Sequence, residues 1–263
     1  DRFFSDPKDQ FFVDSGLTYD GRNNSQIEIS VSGAVEYTHP NTATLTASDN
    51  YFTSEMVGQS IIFFTENQKT PVLITSFTSP TSVVGEIQRI VPEEIRNTPT
   101  TEWGLGANEF TGLDHLEGKT VSVMADAGDE GDFIVTGGKV EIAFDATVVH
   151  IGLPYTSSLQ TLDIELSASG ETARPNKKNI NKVFTYTRST TGIKAGTKMD
   201  NLNPYKARED ENYGEAPTRR TELLEIDVEG QWERPGRIYL VQDRPIETEI
   251  LSIMPEVSVS EYN

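Results

Sequence analysis

The stretch TGLDHLEGKTVSVMADAGDEGDFIVTGG, residues 111–138, gathers six carboxylates and a histidine, the residue types that bind calcium or move protons. A calcium loop of the EF-hand kind starting at Asp126 needs an oxygen ligand at its third position and a bidentate Glu at its twelfth. Gly128 and Gly137 stand there instead. A less regular surface calcium site through Asp126, Asp129, Glu130 and Asp132 stays open. The pattern fits a hairpin better: Thr120 to Ala125 runs out, Phe133 to Thr136 returns, and the Gly and Asp residues between them supply the turn.

Other chemistry finds weaker footing. His39 precedes Pro40 and reads as a turn residue, His150 lies in the apolar strand TVVHIGLPY, and His115 stands between Asp114 and Glu117, which could hold it protonated. A Ser-His-Asp triad needs a serine on a sharp elbow, and no Gly-x-Ser-x-Gly occurs. GIKAGTK, from Gly192 to Lys198, has too few residues between its glycines for a phosphate-cradling loop. Paired carboxylates for glycoside hydrolysis meet only in a fold, so spacing says nothing about them. Trp103 and Trp232 could line a sugar site, but each lies near Gly or Pro and reads as a boundary core residue. No catalytic, cofactor-binding or metal-ligating residue is assigned.

The elements that would position these residues are strands. Thr120–Val123, Lys139–Phe144, Leu162–Leu166, Glu225–Val228 and Arg237–Val241 alternate apolar and polar side chains, which places the apolar set on one face of a half-buried strand. Helical periodicity is confined to short turns near Ser54–Met56 and Pro92–Arg96, so the class is all-β, of sandwich or barrel type. At 263 residues and 35% hydrophobic content the chain can bury a real core. The longest strongly apolar run, Ile61–Phe64, is far short of the roughly 20 residues of a membrane span. With no cysteine, disulfides, thiolate nucleophiles and Cys-type zinc sites are excluded. Forty-one acidic against 22 basic residues give a formal charge of −19, which opposes general affinity for nucleic acid or anionic membrane.

Residues 33–111 are richer in Thr and Ser than their flanks and read as an inserted small β domain, a barrel of its own. Residues 1–32 and 112–263 then form one discontinuous platform. The segment 171–200 reverses the prevailing sign with seven basic residues against two acidic, either as a docking face or as a solvated strand edge guarded by lysines. Residues 201–219 lack periodicity and read as an exposed loop. The chain opens DRFFSDPKDQFF without Met or an apolar leader and reads as part of a longer polypeptide.

Four segments in order carry a resemblance: FFSDPKDQFFVDSGLTYDG (3–21), TGLDHLEGKTVSVMAD (111–126), VHIGLPYTSSLQTL (149–162) and QDRPIETEILSIMPEVSV (242–259). Together they resemble the C-terminal part of the tail nozzle proteins, or tail tubular protein B family, of short-tailed bacteriophages. The family's earlier, propeller-like part has no counterpart in these residues. The resemblance implies a structural virion protein of the phage tail, assembled in the host cytoplasm, with neither catalysis nor cofactor. Six copies would form a ring below the adaptor protein, in contact with fibres or other tail proteins, through which DNA passes transiently without specific binding. The family turns briefly after the Ala-Asp at 125–126, whereas this chain continues into an acidic ADAGDEGD. Two alternatives stand beside this: a carbohydrate-binding or polysaccharide-degrading module of a tail appendage, and an extracellular sandwich stabilised by calcium.

Overall fold

The computed structural model describes residues 6–66, 68–165, 167–168, 171–172, 176–205, 211 and 216–260. Strand accounts for 54% of the structure and no helix reaches seven residues, so the chain is all-β, built of several antiparallel sheets. The short turns expected near Ser54 and Pro92 are single-turn 3-10 helices, Ser54–Met56 and Glu93–Ile95. Among the described residues no helix is long and apolar enough to cross a membrane.

Contacts divide the chain into a continuous unit, Gly16–Ile151, and a split unit, Asp1–Ser15 with Gly152–Asn263. In and at the borders of the continuous unit run β1 (Asp14–Asp20), β2 (Ile29–Ser32), β3 (Thr42–Ala47), β4 (Ser60–Phe64), β5 (Lys69–Ser79), β6 (Ser82–Ile87), β7 (Trp103–Thr111), β8 (Thr120–Ala125), β9 (Gly128–Ile134), β10 (Lys139–Ala146) and β11 (Val148–Leu153). Their order is β1-β11-β8-β9 in one sheet and β10-β7-β4-β5-β6-β3-β2 in the other. The larger sheet closes over a core of Ile29, Leu45, Ile61, Phe63, Ile74 and Trp103, each at most 2% exposed. Alternation in β3, β5 and β6 sends every second residue into this core, and each large apolar side chain buried there contributes about 1.5–3 kcal/mol. At its end, β2 meets the chain ahead of β7, Ile29 exchanging both backbone hydrogen bonds with Thr100 at 2.9 and 3.1 Å.

These division points differ from those that composition suggests. The core cluster spans Ile29 to Trp103, close to the expected 33–111, but strands from outside that range complete the sheet: β2 pairs with β3, and β10 pairs with β7. Contacts group 16–32 and 112–151 in the same unit as 33–111. The join is close. Leu105 donates to Gly21 O at 2.7 Å and Gly21 donates to Thr147 O at 2.7 Å, and a Cβ on residue 21 would lie 2.0 Å from Leu105 O, so only glycine fits.

The split unit carries β12 (Ser157–Gln160), β13 (Ser167–Ala168), β14 (Glu171–Thr172), β15 (Lys178–Arg188), β16 (Lys194–Lys198), β17 (Asn201–Pro204), β18 (Leu223–Asp227), β19 (Tyr239–Gln242) and β20 (Glu249–Val259). They form sheets ordered β12-β19-β16-β17 and β18-β15-β20 and a β13-β14 hairpin. Ile180, Val183, Ala195, Leu224, Ile226 and Leu240 fill the core of this unit. Two expectations need correction. Residues 161–165 are not a strand: Thr161 and Ile164 donate to Ile238 O and Pro235 O, single bonds to the β19 approach rather than a ladder. Residues 201–204, expected in a loop, form β17, because the turn before Asn201 folds the chain back on β16. Residues 206–210 and 212–215 of that expected loop lie outside the described residues.

Candidate functional site

The acidic hairpin is tighter than the sequence suggests. Asp126 and Ala127, with φ of 47° and 70°, form a two-residue turn, and β9 starts at Gly128 rather than at Phe133. Both central residues of such a turn need positive φ, which suits the right-handed twist of the flanking strands. Asp129, Glu130 and Asp132 thus lie along an edge strand and not on a loop, with a bulge where Val123 faces Gly131 and Met124 faces Asp129. Asp132 accepts from Ser122 Oγ at 2.6 Å, and Asp129 accepts from Gly131 N at 3.1 Å. Among the described residues no three His, Asp or Glu side chains converge to hold a metal ion.

Asp126 is structural. Its carboxylate is 6% exposed and collects four donors: Thr147 N at 3.2 Å, Thr147 Oγ1 at 2.6 Å, Val148 N at 3.1 Å and Lys69 Nζ at 3.1 Å. A buried carboxylate persists only with such compensation. It joins the end of β8 to the start of β11 and, through Lys69, to β5. Glu117, from the same sequence stretch, accepts from Gly137 N at 3.1 Å and Gly138 N at 2.7 Å, clamping the turn that leads into β10.

The three histidines lie on separate elements. His150 is buried on β11 and shares a 2.9 Å hydrogen bond with Thr18 Oγ1. His39 Nδ1 lies 3.0 Å from Ile87 O, and His115 sits in the exposed part of a 3-10 turn, Asp114–Leu116. Trp103 is 2% exposed, donates to Ile27 O at 2.8 Å and meets Tyr51 edge-on at 4.8 Å. It is a core residue with no face left for a ligand. Trp232 is 49% exposed.

Four basic residues of the segment 171–200 are paired with carboxylates of their own unit. Lys182 pairs with Glu225, Arg188 with Glu249 through two bonds of 2.7 Å, Lys194 with Asp243 at 2.5 Å and Lys198 with Glu233 at 3.3 Å. Arg174, at the start of the segment, lies outside the described residues. Lys178 is 1% exposed, and its ammonium donates to Arg234 O at 2.7 Å.

Spacing gave no sign of two further groups. Asp145 on β10 accepts from Ser60 Oγ on β4, and burial pushes its carboxyl above the usual carboxylate range against the effect of that hydrogen bond. Tyr19 donates to Leu105 O at 3.0 Å, and burial, with Tyr51, Asp145 and Asp20 nearby, raises its phenol. Burial raises Tyr51 to about 12. Their residue types are ordinary, and only the fold brings them near: Asp145 on β10 and Ser60 on β4 flank β7, and Tyr19 on β1 and Leu105 on β7 belong to different sheets. In the split unit an open groove of about 550 Å³ runs along residues 160–165 and Arg237, whose Nε donates to Asp163 at 2.5 Å.

No protein family and no curated protein sequence matches the chain.

Proposed function

We propose that the chain is a structural subunit of the tail nozzle of a short-tailed phage, one of six in a ring through which the genome leaves. The observation that carries this is where the four resembling segments fall. Three of them supply β1, β8 and β11, neighbours in a single sheet of order β1-β11-β8-β9. The first and fourth meet in the split unit, where buried Gln10 accepts from Glu247 N at 3.3 Å and Glu247 pairs with Arg219 at 3.0 Å. Segments that stand far apart in sequence thus serve as framework, which fits a part that builds shape.

Charge supports the same reading. A conduit for a polyanion should not hold it, because each phosphate neutralised by Lys or Arg adds affinity that passage must break. Carboxylates dominate the continuous unit, and Lys182 and Arg188 of β15 and Lys194 and Lys198 of β16 pair with Glu and Asp of their own unit. Cyclic closure also satisfies exposed strand edges without open-ended growth.

Electron microscopy of virions with a tagged copy of the chain tests the proposal. Label on a sixfold ring at the distal end of the tail is the expected result. Label on side fibres, or none on the particle, overturns it.

A further inference from the structure

The loop between β18 and β19 is held more firmly than a connection requires. Residue 230 lies so close to β15 that a Cβ there would sit 2.1 Å from Ile180 O, and glycine is the residue that fits. Glu233 exchanges both backbone hydrogen bonds with Lys178, at 2.7 and 2.9 Å, and the buried Lys178 ammonium holds Arg234 O. The turn between β16 and β17 grips the other side. Thr197 Oγ1 donates to Glu229 O at 3.2 Å, Asn201 Nδ2 to the Glu229 carboxylate at 3.0 Å, and Lys198 Nζ to Gln231 Oε1 at 2.8 Å.

Between these fixings stands Trp232, 49% exposed, whose indole has no hydrogen-bond or ring partner among the described residues. A large aromatic left half in water on a fixed loop has already lost the freedom that binding would otherwise cost, which is the condition for a recognition surface. Lys198 pairs with Glu233, and the Glu229 carboxylate, which the neutral Asn201 amide holds without cancelling its charge, disfavours a phosphate or an acidic peptide. Among the described residues, the Gln231 amide N–H₂ and the Asn201 amide oxygen have no partner, leaving a donor and an acceptor on the fixings of the loop that carries the ring.

The geometry points to a saccharide-binding platform: Trp232 stacks one face of a neutral pyranose, and Gln231 and Asn201 bond its hydroxyls. The C–H groups on a pyranose face carry partial positive charge and complement the electron-rich face of the indole. Each hydroxyl both donates and accepts, as the two amides require. The site lies in the split unit and stands independently of the nozzle reading. One ring on so open a surface supports a Kd of about 1 mM, rising in strength along a polymer that engages several copies.

The test uses the purified chain on an array of immobilised neutral and acidic oligosaccharides, followed by fluorescence titration with whichever glycan is retained. Trp103 is buried, so a blue shift on binding reports Trp232. The expected result is retention of neutral glycans with that blue shift, about tenfold or greater loss in Trp232→Ala, partial recovery in Trp232→Phe and several-fold weakening in Gln231→Ala. Circular dichroism confirms that each variant folds. No retained glycan, or unchanged retention in Trp232→Ala, overturns the proposal. So does an emission shift that follows protein concentration alone, which would make this surface a contact between copies.

Discussion

Asp126 shows how a residue that resembles a ligand can be an anchor. Three donors from Thr147 and Val148 and a fourth from the partly exposed Lys69 converge on it, so removing the carboxylate strands the first three in a buried place. Asp126→Ala is expected to cost about 3 kcal/mol in chemical denaturation, in line with breaking a buried charged network. Asp145 is the opposite case. Burial raises its folded pKa, so the folded chain binds this proton more tightly than the unfolded chain does; the resulting stabilisation is present in acid and lost as pH rises through the folded value. Asp145→Asn keeps an acceptor for Ser60 and is expected to be more stable than the parent at pH 7. That advantage should vanish below the ordinary carboxylate range. Denaturation curves across pH check the sign, and equal stability at neutral pH would contradict it.

At the scale of elements, the two-residue turn of the β8-β9 hairpin makes a sharp forecast. Ala127 has φ of 70°, a conformation that costs a residue with a Cβ about 1 kcal/mol. Ala127→Gly is therefore expected to stabilise the protein by about 0.5–1 kcal/mol, whereas Gly21→Ala, pressed against Leu105 O, should cost about 3 kcal/mol or prevent folding. Thermal melts of the two variants should move in opposite directions. The same elements show what could be read in advance. Alternation announced β8, β10, β18 and β19, though only β10 and β18 keep the single buried face it implies, since β8 is buried on both faces from Val121 to Ala125 and β19 at Leu240 and Val241. It failed at residues 161–165, where the alternating pattern is present but no neighbouring strand offers a ladder. Turn length was also hidden. The acidic residues after Ala127 look like loop composition, yet an edge strand tolerates charge, and a bulge absorbs the extra residue. Asp145 beside Ser60, and the fixings of the Trp232 loop, depend on partners 28 or more residues away, which no local pattern encodes.

Across the whole molecule, a formal charge of −19 should make the folded state strain against itself. Raising salt from about 20 to about 500 mM shortens the screening length from roughly 20 to roughly 4 Å, so the melting temperature should rise despite weaker surface pairs. Duplex DNA should show no retardation by the chain at physiological salt, and a clear gel shift there would contradict the conduit reading.

The hydrogen bond from Glu247 N to Gln10 joins residues 237 apart, and it also sets a timetable. During synthesis the first residues of the split unit emerge well before the partners that bury them, while Gly16–Ile151 is complete much sooner. The early segment therefore waits, unpaired, as an entire unit folds behind it. Because the chain must close so long a loop before that contact forms, the split unit is expected to refold more slowly than the continuous one. Time-resolved emission can separate them, with Trp103 in one unit and Trp232 in the other, and the slower clock should be that of Trp232.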